Sequence, residues 1–148
     1  MSTYTQILYQ IVFSTKKREK TLEESGRDQL FRYIWGILKK NNCHLYRIGG
    51  VEDHLHIVTH IHPMVAPAIL IKNIKLASSN FIKQESIFPN FNGWQDGYGA
   101  FTYAISAKDN LIAYAKNQVE HHKKICYKEE YIALLKENGI EFEEKHLF

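Results

Sequence analysis

Apolar positions change period along this chain, and each change marks an element. Residues 7–13 are β-branched and apolar and run into Ser14-Thr15 and a basic cluster, which predicts a first strand. Between residues 22 and 40, Leu30, Phe31, Ile34, Ile37 and Leu38 recur at helical spacing, and a basic last turn followed by Asn41-Asn42 predicts where that helix stops. Two β-type runs, residues 44–48 and 55–61, are joined by Gly49-Gly50-Val51-Glu52-Asp53 and read as a hairpin. After Pro63 and Pro67, the residues Ile69, Leu70, Ile74, Leu76, Phe81 and Ile82 describe a second helix over 66–83. A glycine-rich, aromatic loop over 86–99 then leads to a fourth strand, 100–105.

The order β-α-β-β-α-β predicts an α+β fold of the ferredoxin-like, split β-α-β kind, an antiparallel four-stranded sheet with both helices on one face. Beyond it, residues 106–122 read as a helix with Asp109 in its first turn. Residues 128–137 read as another, ended by Asn138-Gly139 and followed by a tail over 140–148. A chain of 148 residues with 45% hydrophobic composition suits one domain, 1–148, divided into a core (1–106) and a C-terminal helical part (107–148).

Composition narrows the class. No run of about 18 apolar residues occurs, and residues 1–10 lack a signal-peptide pattern, so a soluble cytoplasmic protein without membrane association is expected. Cys43 and Cys126 form no C-x-x-C spacing, which indicates neither a disulfide framework nor a cysteine zinc site. Residues 1–106 carry 12 Lys and Arg against 8 Asp and Glu, whereas 107–148 carry 7 against 8. The basic excess therefore belongs to the core. Lys16, Lys17, Arg18, Arg47, Lys72, Lys75 and Lys83 are candidates for a phosphate backbone, although a merely solvated basic face explains the charge equally well.

The candidate chemistry centres on His54-Leu55-His56. On a strand the two imidazoles share a face while Leu55 and Ile57 point into the core, so both rings can meet one metal ion. The same face continues through Val58 and His60 to His62 beyond the strand, and a solvent-facing polar strand face accounts for that pattern without a metal. Tyr114 and Gln118, four apart on the expected helix, would share one side of it, setting a phenol beside an amide oxygen able to complete the metal site. A phenol with a pKa of about 10 is a poor nucleophile near neutrality, and a Lewis acid on the scissile group offsets part of that handicap. Asp53 offers either a turn-forming role or an orienting hydrogen bond to a ligand histidine. Trp94 and Tyr98 offer either loop packing or base stacking.

Three ordered runs carry a family resemblance: Gly49 to His56 (GGVEDHLH), Trp94 to Phe101 (WQDGYGAF) and Tyr114 to His122 (YAKNQVEHH). Together they resemble the HUH single-tyrosine transposases, the small insertion-sequence transposases and their REP-associated relatives. The resemblance runs from the first strand to the tail. It implies that His54, His56 and Gln118 bind a divalent ion, Mg2+ or Mn2+, and that Tyr114 attacks single-stranded DNA at hairpin-bearing ends. That attack forms a 5′-phosphotyrosine link and frees a 3′-OH. It also implies a homodimer in which the tyrosine helix of one subunit completes the other's site, or a monomer as among the REP-associated relatives.

Two other functions fit parts of the pattern. A non-catalytic single-stranded nucleic-acid-binding domain would keep the fold and the basic edges, and an intact His54, His56, Tyr114 and Gln118 set argues against it. A metallohydrolase would use His54, His56 and His60, and the lack of a carboxylate at ligand spacing on that strand argues against it.

Overall fold

The computed structural model describes residues 1–147; Phe148, the end of the expected tail, lies outside them. Four strands, β1 (Leu8–Ser14), β2 (His44–Gly50), β3 (His54–His60) and β4 (Gly99–Tyr103), pair antiparallel in the order β2-β3-β1-β4. Helices α1 (Glu24–Lys40) and α2 (Pro67–Glu85) supply the crossovers, so the expected ferredoxin-like α+β arrangement is present. Alternation along the strands sorts the residues. Ile11 and Phe13 of β1 and Leu55 and Ile57 of β3 face α1 and α2, where they join Leu30, Ile34, Leu38, Leu70, Ile71 and Ile74 in the main core.

The other face is covered as well. Leu8, Val12, Val58 and Phe101 pack in two smaller clusters with Leu111, Ala115, Tyr127, Leu134 and Leu135. Those partners come from two C-terminal helices, α3 (Lys108–Lys116) and α5 (Tyr127–Glu137), which the short α4 (Gln118–His121) connects. The His54/His56 face is therefore not a solvent-facing polar strand face: both imidazoles are 0% exposed. Burial under α3–α5 makes each ring nitrogen a group that must be satisfied from within the protein.

Two local differences from the sequence reading shape what lies between sheet and helices. Gly49 and Gly50 belong to β2, paired with His56 and Leu55, and leave only residues 51–53 as the hairpin turn. The helix expected over 106–122 is broken. Asn117 (φ −95°, ψ 19°) ends α3, and the Gln118 amide donates to the Tyr114 carbonyl at 3.2 Å, the acceptor a continuous helix would pair with the Gln118 N–H. No helix among the described residues is long and apolar enough to cross a membrane.

Candidate metal centre

β3 points the His54 and His56 rings at the C-terminal helices, and each ring has its Nδ1 held from behind. Asp53 Oδ1 lies 2.6 Å from His54 Nδ1, and Gln10 Oε1 lies 2.9 Å from His56 Nδ1. Gln10 is itself fixed by donating to the Tyr103 hydroxyl at 2.9 Å. Partners at both Nδ1 atoms turn both Nε2 atoms into the site, the outer-partner arrangement that orients metal-binding imidazoles. Asp53 thus does more than shape the turn.

What the two Nε2 atoms meet is a residue the sequence reading assigned no role, Glu130 of α5. Its Oε1 lies 3.1 Å from His54 Nε2, 2.9 Å from His56 Nε2 and 3.1 Å from His122 Nε2, at the end of α4. Its Oε2 accepts a short hydrogen bond from the Tyr114 hydroxyl and lies 3.2 Å from His121 Nε2 and 3.3 Å from Gln118 Nε2. Gln118 turns its Oε1 to His54 Nε2 at 3.1 Å. One carboxylate, 1% exposed, thus gathers four histidines, a tyrosine and a glutamine. The sequence signal for it was faint but present: Glu130 sits on the apolar stripe of α5 with Tyr127 and Leu134, three residues after the first and four before the second.

The electrostatics follow from burial and from this crowding. Burial alone would raise the Glu130 carboxyl, but the imidazoles around it outweigh that and hold it far below the usual carboxylate range. Burial would lower His54, yet its hydrogen bonds with Asp53 and Glu130 raise it to about 9. Burial lowers His56, with Glu130 only partly opposing. Burial and the adjacent Glu130 both push the Tyr114 phenol upward, so that in the metal-free protein the hydroxyl is held protonated. A proton on His54 balances Glu130 in a place built for positive charge.

The donor set fits a divalent ion. One donor atom from each of His54, His56, His122 and Glu130 lies within 4.8 Å of every other. His122 Nε2 is buried without a hydrogen-bond partner: although 3.1 Å from Glu130 Oε1, it lies off the line a hydrogen bond requires. A buried lone pair left unmatched costs free energy that a cation would recover.

The other sequence candidates lie apart from this cluster. His60 Nδ1 accepts the Ile7 N–H at 3.1 Å, at the far end of β3, so it is not a member. Trp94 packs edge-on against Phe13, with ring centroids 4.9 Å apart, and donates to Ser78 Oγ at 3.0 Å. Lys75 is half-buried, donating to the Gln95 carbonyl at 2.8 Å and to that of Gly97. Lys72 and Lys83 are exposed on α2, on the opposite side of the sheet, and Tyr98 is 41% exposed in the loop beside it. Lys16, Lys17 and Arg18 form a single 3-10 turn after β1, where the Lys17 N–H donates to Gln95 Oε1 at 2.9 Å. Closer to the metal centre, a cleft lined by Lys20, Arg27, Lys123 and Lys124 together with Glu24, Glu52 and Asp53 reaches the edge of the cluster at His122.

Comparison with known proteins bears on the fold and the family. The crystal structure of a candidate transposase from Deinococcus radiodurans R1 superposes with a TM-score of 0.61 at 21% identity, covering 80% of this chain and 95% of that one. A REP-associated tyrosine transposase bound to a REP hairpin superposes with a TM-score of 0.57 at 13% identity, covering 78% and 70%. At these identities the likeness is one of fold. No curated protein matches the sequence. Residues 3–118 match the sequence family described as "Transposase IS200 like", a span holding His54, His56, Tyr114 and Gln118. That match covers most of the chain, which therefore belongs to the IS200-like transposases.

Proposed function

We propose that this protein is a metal-dependent transposase acting on single-stranded DNA, one HUH domain that cleaves and rejoins strands through a 5′-phosphotyrosine at Tyr114. The observation that carries this reading is the shared contact at Glu130. Its two oxygens touch the His54 and His56 Nε2 atoms on one side and the Tyr114 hydroxyl on the other, so nucleophile and metal-binding pair converge within one chain. His54, His56 and Gln118 would hold the ion, Mg2+ or Mn2+. When bound, it would supply a Lewis acid for the scissile phosphate and a positive field opposing the negative one Glu130 imposes on Tyr114.

The residues do the rest. Tyr114 Oη forms a bond to phosphorus, the bond from phosphorus to the 3′ oxygen breaks, and the 5′ phosphate stays on the protein. The phenol proton passes to His121 Nε2, 3.2 Å from the hydroxyl. The departing 3′ oxygen is protonated from solvent. Attack by a 3′-OH on the phosphotyrosine reverses these changes and rejoins a strand without external energy. The REP hairpin held by the structural relative makes a hairpin-bearing end the first substrate to test.

Incubation with end-labelled hairpin DNA and Mn2+ or Mg2+ should yield a covalent adduct that Tyr114→Phe abolishes while DNA binding persists. Binding without an adduct, under both metals, would favour the non-catalytic nucleic-acid-binding domain. An adduct retained by the phenylalanine variant would move the nucleophile to another tyrosine.

A further inference from the structure

Resting on the reading that His54 and His56 hold a divalent ion, we propose that His122 and Glu130 are also ligands of that ion, making it a transition metal rather than magnesium. Both residues come from the C-terminal helices, and both lie beyond the 3–118 family match. Three independent observations support them. First, His122 Nε2 is buried and points into the cluster, 3.1 Å from Glu130 Oε1 but off the line of a hydrogen bond, so a cation would satisfy it better than the protein alone does. Second, Glu130 Oε1 stands 2.9–3.1 Å from three imidazole Nε2 atoms. That spacing matches neighbouring donors around one ion with bonds of about 2.1 Å, roughly 3.0 Å apart in an octahedron and 3.4 Å in a tetrahedron. Third, His54 and His56 have their Nδ1 atoms tied to Asp53 and Gln10, which leaves their Nε2 atoms as the inward donors.

The chemistry of the set decides the ion. Magnesium demands oxygen ligands and retains its waters, whereas three imidazoles with one carboxylate and the Gln118 amide oxygen suit manganese, iron, cobalt, nickel or zinc. Glu130 also ties the ion to the nucleophile, since its second oxygen accepts from Tyr114. Helix α5 is then part of the metal centre itself.

The test uses the full chain and Co2+ alone as the probe. One equivalent should bind, and excess Mg2+ should fail to displace it. Proton NMR of the Co2+ protein should show hyperfine-shifted ring signals from three imidazoles. His122→Gln and Glu130→Gln should each weaken Co2+ binding by at least about tenfold, no less than the loss of an outer partner costs. Two imidazoles' worth of shifted signals, or variants binding Co2+ like the parent chain, would overturn the proposal. The NMR count on the unaltered protein stands even where a variant fails to fold. These outcomes separate from the functional reading. An adduct at Tyr114 with only two imidazoles bound leaves the strand transferase intact and removes His122, whereas three bound imidazoles without an adduct do the reverse.

Discussion

A Cβ atom placed on Gly49 would stand 1.7 Å from the carbonyl oxygen of Ala115, so β2 and α3 touch backbone to backbone. Gly49 pairs with His56 across the sheet, and Ala115 follows Tyr114. This contact seats the tyrosine helix against the strand that pairs with the metal-binding one. Backbone cannot yield as a flexible side chain can, so Gly49→Ala must push α3 away from the sheet. We expect a cost of about 1–3 kcal/mol in stability, typical of overpacking. Adduct formation should fall further than stability does, because retreat of α3 withdraws the Tyr114 hydroxyl from the cluster. Denaturant midpoints measured beside adduct yields check this; a Gly49→Ala protein matching the parent in both would show that α3 does not need the contact.

The same contact shows where sequence reasoning stopped. Strand alternation made Leu55 and Ile57 legible as core and put His54 and His56 together on the opposite face, and both placements hold. Gly49 and Gly50 read as turn residues because glycine usually marks a turn; here a helix backbone requires a strand position without a side chain. The break at Asn117 carries no proline or glycine, and a side-chain hydrogen bond from Gln118 to the Tyr114 carbonyl accompanies it. Glu130 carries only a faint signal, its place on the apolar stripe of α5, for a different reason. A glutamate in a helix rich in Lys and Glu reads as solvated surface, and only the meeting of α5 with β3 shows that its neighbours are imidazoles.

The metal-free protein should lose stability as pH rises from 6.5 to 9. His54 has its folded pKa raised from 6.5 to about 9, so its contribution is fully present below 6.5 and disappears as pH climbs through 9. The charging of His56, whose pKa is lowered, adds its cost only below 6.5 and does not enter this window. Asp53→Asn removes a hydrogen-bond partner that raises His54 and should flatten the decline. Saturation with Mn2+ should reverse it, since metal binds the neutral ring. Melting temperatures across this range decide the matter, and a metal-free protein indifferent to pH between 6.5 and 9 would contradict the protonated His54–Glu130 arrangement.

Single-stranded DNA reaching the metal centre should cross the cleft lined by Lys20, Arg27, Lys123 and Lys124. Neutralising Lys123 and Lys124 together should reduce the slope of log affinity against log salt by roughly 1.4, at about 0.7 for each phosphate that no longer meets a cation. The paired substitution of Lys72 and Lys83, on α2 beyond the sheet, should change it less. Titrations of one labelled hairpin strand at four or five salt concentrations provide the slopes. A larger change from the α2 pair would place the strand on the opposite side of the molecule.

Each chain should complete its own active site. The Tyr114 hydroxyl reaches Glu130 of the same chain, and its ring lies 5.4 Å from that of His56, so no second copy is needed to bring nucleophile and metal pair together. Mixing inactive Tyr114→Phe with inactive His56→Ala distinguishes this from exchange of the tyrosine helix. In a swapped dimer, a mixed pair holds one site with both an intact His56 and an intact Tyr114, and random association would restore about a quarter of the parent's activity. Cis assembly leaves every site lacking one of the two. We expect no adduct from the mixture, even after co-refolding to allow exchange. Recovery near a quarter would mean that α3 changes partners when DNA binds, and that the contact between Gly49 and Ala115 opens on the way.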